Sequence, residues 1–239
     1  MKRKFFAIAS FLILLITGTA ISQPKIYGSG GSEMIFSFAQ IDHNGNAGQN
    51  IMRWSPVFNS EGYFNVDFAK SFGLFTGLGI RNVGFIDDKY DPDNTGIKKK
   101  FRTYNLGIPV GLKLGNLQNF FLFGGYEIEF PFHYKEKTFL NGQKQDVKIS
   151  DWFSSRVPTY YNTVFAGVQF PYGFTLKFKY YFTGFFNENF TETVNGVQGK
   201  PYEGYKVNIF YFSLSFDLFS NPITSEFHST SEKKPAKVY

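Results

Sequence analysis

Apolar side chains recur at every second position through most of residues 33–219, in runs broken by glycine, proline and polar residues. The stretch GFTLKFKYYF at 173–182 shows the pattern: Phe174, Leu176, Phe178, Tyr180 and Phe182 alternate with Thr175, Lys177, Lys179 and Tyr181. A period of two sends alternate side chains to opposite faces of a β-strand. Counting such runs predicts strands at 33–41, 52–68, 72–86, 101–114, 119–132, 161–170, 174–187 and 205–219. Pro56 and Asn59 interrupt the second, since proline removes a ladder donor. Helix-period stretches of useful length are absent.

The connections between these eight strands alternate in length. Residues 69–71, 115–118 (GNLQ) and 171–173 (PYG) are tight turns, whereas 42–51, 87–100, 133–160 and 188–204 are longer and polar. Short turns on one side and long loops on the other are the habit of outer-membrane barrels, whose long loops face outward. An even strand number places both strand termini on the short-turn, periplasmic side.

The two faces differ in kind. Even positions carry Phe36, Phe38, Phe64, Val66 and Phe68, then Leu106, Ile108, Val110, Leu112 and Leu114, then Phe120, Leu122, Tyr126, Ile128 and Phe130. The eighth strand closes the series with Phe210, Phe212, Leu214, Phe216 and Leu218. Odd positions carry small residues such as Gly77, Gly79, Gly107, Gly111, Gly125 and Ser213, together with ten charges. Those charges are Glu33, Arg53, Asp67, Arg81, Lys113, Glu127, Glu129, Lys177, Lys179 and Asp217, five acidic and five basic. A soluble barrel would expose its odd face and would not fill it with glycine, which weakens an exposed strand. A membrane barrel turns the apolar face to lipid and the polar face to its lumen. Eight strands leave a lumen that side chains fill, and charges there must be paired. The expectation is an all-β, eight-stranded antiparallel up-and-down transmembrane β-barrel in the outer membrane, with short periplasmic turns, long outer loops and these ten charges as a lumen network.

Composition narrows the picture further. Lys2, Arg3 and Lys4 precede an apolar segment at 5–16, and Ala20 and Ser22 stand two apart before Gln23. This is the layout of a secretory signal peptide over residues 1–22. Its removal lowers the formal charge from +6 to +3, because those three cations are its only charges. A residual charge of that size makes no case for nucleic acid as a partner. With 32 Phe and 15 Tyr, the chain must bury its rings in a core or in lipid. Cysteine is absent, which excludes disulfides, an acylated lipoprotein cysteine and thiolate metal sites. The domain reading is 1–22 signal peptide, 23–219 barrel and 220–239 a polar periplasmic tail.

Several segments also resemble a known family. SEMIFSFAQ, GLFTGLGIRNVGF, YNLGIPVGLKLG and the closing FYFSLSFDLF are similar to the PorT-like small outer-membrane β-barrel proteins. That family shows a G-L-x-x-G-L-G hairpin, here Gly73 to Gly79, and a Y-x-L-x-I-P-x-x-L-K strand, here Tyr104 to Lys113. The resemblance implies the barrel type and, more specifically, an accessory of a secretion or gliding apparatus. Residues 211–218 also look like the last-strand signal read by the barrel-assembly machinery, with Ser213 in place of its glycine.

Candidate chemistry is sparse. His133 lies near Ser150, Asp151, Ser154 and Ser155 in sequence, but no G-x-S-x-G signature accompanies it. DPDNTG at 91–96 opens like a calcium loop, yet Arg102 occupies the closing ligand position. Lys98, Lys99 and Lys100 offer a contact for anionic headgroups. Tyr104, Tyr126, Tyr160, Tyr161, Tyr180 and Trp152 are candidates for interfacial belts, with Tyr181 and Tyr211 in the lumen. The functional expectation is a non-enzymatic barrel, without cofactor or metal, whose partners are outer-membrane lipid, the assembly machinery and an envelope complex or adhesion target. The alternatives are a lipid A-modifying acyl enzyme centred on His133, or a small-molecule transporter using a wall gap at Gly124 and Gly125.

Overall fold

The computed structural model describes residues 23–90, 96–194, 196–216 and 218–219. Eight long strands form its wall: β1 Lys25–His43, β2 Ser60–Ala69, β3 Phe72–Asp87, β4 Ile97–Gly115, β5 Phe121–Leu140, β6 Tyr161–Gln169, β7 Phe174–Tyr181 and β8 Tyr205–Phe216. Each pairs antiparallel with its successor, and β8 pairs with β1 from Glu33↔Ser215 to His43↔Tyr205, so the ring of hydrogen bonds closes. Closure leaves no strand with a free edge along its length, the condition for placing strands in hydrocarbon. On the second-strand side of β3 the ladder lapses over 81–85, where Arg53, Ser55 and Asn59 bond Asn82 instead. β1 is shared lengthwise: its first part, Lys25 to Ser32, pairs with β2, and its second part pairs with β8.

The expected break in the second strand is present. Arg53–Ser55 pairs with β1 at Ser37 to Ile35, and pairing resumes at Ser32↔Ser60. Two residues of β1 (33 and 34) therefore face four residues of the second strand (56–59). The surplus is two, so side-chain phase survives, and Ser55 and Glu61 are both buried. Phe58, at the crest of this bulge, has a positive φ of 62° and meets the Tyr104 ring edge-on at 6.0 Å.

Turns at 70–71, 116–120 and 170–173 crowd one end. The opposite end departs from expectation in two places, and the short-turn end in a third. Residues 133–160 are mostly strand, not loop: β5 continues to Leu140, and a return strand, Gln143–Trp152, pairs back along it. Asn141 and Gly142 both have positive φ (49° and 80°), the requirement of a tight two-residue hairpin turn. β7 stops at Tyr181 rather than at 187, because Phe185 and Phe186 turn inward and are buried. β8 stops at Phe216, and Leu218, expected on the apolar outer face, is buried with Phe219 beneath the barrel.

The faces are inside-out relative to a soluble protein. Val110 is 60% exposed and Leu122 is 53% exposed, whereas Arg81, Lys113 and Lys179 are fully buried. Charged and polar side chains occupy the middle of the interior, with buried rings above and below them, and apolar side chains cover the outer surface of the wall, which is the signature of a transmembrane barrel. The signal segment 1–22, the tail 220–239 and the calcium-like residues 91–95 lie outside the described residues.

A cation on the outer wall should be costly for this reason. Val110→Arg is expected to destabilise the folded chain in lipid vesicles by about 2–4 kcal/mol, measured by urea titration. A change below about 0.5 kcal/mol, the norm for an exposed site in a soluble protein, would contradict the assignment of that face to lipid.

Candidate functional site

The centre of the lumen is a charge layer built from strands far apart in sequence. Arg81 on β3 donates from Nε to Glu33 Oε1 on β1 at 2.9 Å, and its Nη2 lies 2.7 Å from Glu61 Oε1 on β2. It also bonds Glu127 on β5. Lys177 on β7 contacts Glu33 Oε2 at 2.9 Å and bonds Glu61, while Lys179 lies 2.6 Å from Glu127 Oε2 and bonds Glu129. Asn105 of β4, Tyr181 of β7 and Ser213 of β8 donate to Glu129 or Glu33 at 2.6–2.8 Å. Small residues make room for these long side chains. A Cβ on Gly107 would collide with both the Glu127 carboxylate and the Arg81 guanidinium.

Six of the ten charges expected in the lumen meet in this layer: Glu33, Arg81, Glu127, Glu129, Lys177 and Lys179. Lys113 and Asp67 form a separate pair at 2.6 Å toward the periplasmic end, where the Lys113 ammonium also donates to Tyr27 and Asn65. Arg53 does not join the network: its guanidinium donates to the Asn82 carbonyl at 3.0 Å and to the Asn82 side chain. Asp217 lies outside the described residues. Glu61 is the member that sequence reading missed, although it shares the odd phase of Arg53 and Asp67. With Glu61 included, four acids face three bases in the central layer, so the five-to-five balance does not describe it.

Aromatic plugs close both ends. Below the charges, Phe219 packs against Tyr63, Phe75, Phe121 and Phe123. Above them, Phe186 stacks on Tyr202 at 4.2 Å and meets Phe85, Phe101 and Phe185. The space enclosed among Val83, Thr103, Tyr161 and Ile209 has a volume of about 0 Å³ for water. Tyr181 and Tyr211 are lumenal, whereas Tyr161 is not a belt residue: it is buried, and its hydroxyl donates to the Phe185 carbonyl at 3.0 Å. Gly124 and Gly125 pair with Leu112 and Gly111 on one side and with Ala166 and Phe165 on the other. The wall is continuous there, and the gap a transporter would need is missing.

The outer plug is latched by polar contacts. Arg156 donates to Tyr202 at 3.2 Å and to Glu192, and lies 3.6 Å from Asp151. His133 sits on the outside of β5, with Nε2 3.1 Å from Ser150 Oγ and its ring stacked on Trp152 at 4.4 Å. Asp151 lies 3.6 Å from Arg156, and among the described residues no carboxylate hydrogen-bonds to this histidine as a third group orienting a catalytic base would.

No family model matches the sequence, and no curated protein matches it. Solved structures of similar strand layout include Ail, the attachment invasion locus protein of Yersinia pestis, in complex with the heparin analogue sucrose octasulfate. It is 13% identical, covers 80% of this chain and 98% of its own, and gives a TM-score of 0.36. Neisserial surface protein A is 8% identical over 82% of this chain and 100% of its own, with a TM-score of 0.37. The outer membrane protease OmpT of Escherichia coli is 10% identical over 83% of this chain and 97% of its own, with a TM-score of 0.40. Likeness at that level carries no role across. The chain's own architecture, a closed even-stranded antiparallel barrel with an apolar outer wall and a charge layer at its centre, is that of a small outer-membrane barrel.

Arg81→Met leaves four carboxylates to Lys177 and Lys179 alone, and should cost about 3–5 kcal/mol of stability in a urea titration. The latch has a pH signature. The hydrogen bond from Arg156 holds Glu192 below the usual carboxylate range. A depressed folded value means the contribution is present above the unfolded value, roughly 4.3, and is lost as pH falls through the folded value. Protease cleavage within 185–204 should therefore rise in acid for the wild type, and be raised already at neutral pH in Glu192→Gln.

Proposed function

We propose that the protein is a non-conducting, non-enzymatic outer-membrane barrel that acts through its extracellular face, in adhesion, envelope architecture or service to a larger envelope complex. The observation that carries this reading is a lumen filled at three successive levels, by aromatic plugs above and below and by a paired charge layer between them. Such an interior serves neither passage nor catalysis, and it leaves the outer hairpin and the 182–204 segment as the parts offered to a partner. The resemblance to PorT-like proteins over Gly73 to Gly79 and Tyr104 to Lys113 supports a finer version, an accessory of a secretion or gliding apparatus. The purified chain in planar bilayers is expected to show no stable conductance, and steady ion flow would overturn the filled-lumen reading. For the finer version, a reproducible envelope complex should co-purify, and unchanged secretion and motility in a deletion strain would count against it.

A second reading rests on the His133–Ser150 contact, which supplies a base and a hydroxyl at 3.1 Å on the outer side of the wall. It makes the protein an acyl-modifying enzyme of lipid A. Mass spectrometry of lipid A with and without the gene separates the two readings, since the first leaves the acyl pattern unchanged.

A further inference from the structure

The outer ends of β4, β5 and the return strand Gln143–Trp152 lie side by side, and their register stacks three kinds of surface above one another. Lowest is an apolar groove of about 870 Å³ between the wall and the 153–159 segment, lined by Ile80, Leu106, Phe130, Phe132, Val157 and Pro158. One row up is a ledge of flat rings, with His133 stacked between Trp152 at 4.4 Å and Tyr104 at 5.5 Å. Rings of this kind occupy the boundary between hydrocarbon and headgroups.

Above the ledge the outward face turns basic. Arg102 pairs in register with Lys135, and Lys135 with Ser150; one row higher, Lys100 pairs with Lys137, and Lys137 with Lys148. Lys144 follows opposite Phe139. The alternate residues Phe101, Thr103, Tyr134 and Glu136 are buried in the barrel, so the cations occupy its outside. None of the six, Lys100, Arg102, Lys135, Lys137, Lys144 and Lys148, forms an ion pair among the described residues. Neighbouring Lys98 differs, being held by Asp88 at 2.6 Å. Partial burial, with Arg102 and Lys148 nearby, holds Lys135 below the usual lysine range. Like charges directly opposite on adjacent strands destabilise a sheet, so this array calls for an anion that no carboxylate among the described residues supplies.

We propose that this part of the outer wall binds a phosphate-bearing lipid of the outer leaflet, with acyl chains in the groove and anionic headgroup on the basic rows. The vertical order selects an amphiphile over a soluble polyanion. Leu106 and Arg102 are four residues apart on one strand, about 13 Å, so the groove and the cations are engaged together only by a molecule with chains and charge joined. Several cations in two adjacent rows suit a headgroup with more than one phosphate.

The test uses the full chain in detergent micelles with lipid A, a doubly phosphorylated acylated disaccharide, read by native mass spectrometry. Lipid A should bind, and both its dephosphorylated form and its deacylated phosphorylated headgroup should bind at least tenfold more weakly. The triple variant Lys135→Gln/Lys137→Gln/Lys148→Gln should lose at least tenfold in affinity while keeping its heat-dependent gel shift, the control for folding. Lys200→Gln/Lys206→Gln, which removes outer cations elsewhere, should bind as the wild type does. Full binding by the triple variant would overturn the site. Equal binding of the deacylated headgroup or of inorganic phosphate would overturn the lipid assignment in favour of a soluble anion.

Discussion

Everything in this barrel is arranged around the need to neutralise charge buried at the centre of a closed ring of strands. An isolated buried ion costs several kcal/mol, and the guanidinium of Arg81 meets that cost by touching carboxylates from β1, β2 and β5 at once. Lys177 and Lys179 extend the same contacts from β7. The consequence is mechanical as well as electrostatic, because strands that are neighbours only through the closed ring are also tied across its diameter. Lys177 of β7 and Glu61 of β2, 116 residues apart in sequence and on strands that do not pair, meet in this way. The glycines of the inner face follow from the same constraint, since Gly107 is the space the Arg81–Glu127 contact occupies.

What could be read from the sequence was what strict alternation encodes. The strand number, the closure, the apolar outer wall and the inward direction of Glu33, Arg81, Glu127, Lys177 and Lys179 all follow from a period of two. Glu61 was readable by the same rule, since the detour at 56–59 keeps it in phase with Arg53 and Asp67. Arg53 has the phase of a lumen residue, yet Asn82 offers its guanidinium a nearer pair of acceptors. The return strand Gln143–Trp152 carried its own signal in Asn141–Gly142, masked by the polarity of a hairpin that stands beyond the membrane. The inward turn of Phe185 and Phe186, and of Leu218 and Phe219, had no periodic signal. Their burial is decided by the vacancy at each mouth of the barrel, a property of the closed ring rather than of any one strand.

The two ends of the molecule differ in how they are finished. At the periplasmic end the connections are short, and the lumen is stopped by rings that include the first residues past β8. At the outer end the wall is extended by the β5 hairpin, and the mouth is stopped by a segment latched through Arg156, Tyr202 and Glu192. The outer end displays, along β4, β5 and the return strand, an apolar hollow, flat rings and cations without an ion pair among the described residues, in sequence up the wall.

The interruption of the second strand has a consequence for how this chain can vary. Four residues stand opposite two, so the detour adds an even count, and Ser55 still shares the inward direction of Glu61. Loss or gain of a single residue at 56–59 would swap the two faces for everything between the crest and the previous loop, presenting Trp54 to the interior and Ser55 to hydrocarbon. Losing or gaining two would leave each side chain where it was. Length at this point is therefore quantised: the fold tolerates it in doublets, and parity, more than sequence identity, is what inheritance has to keep.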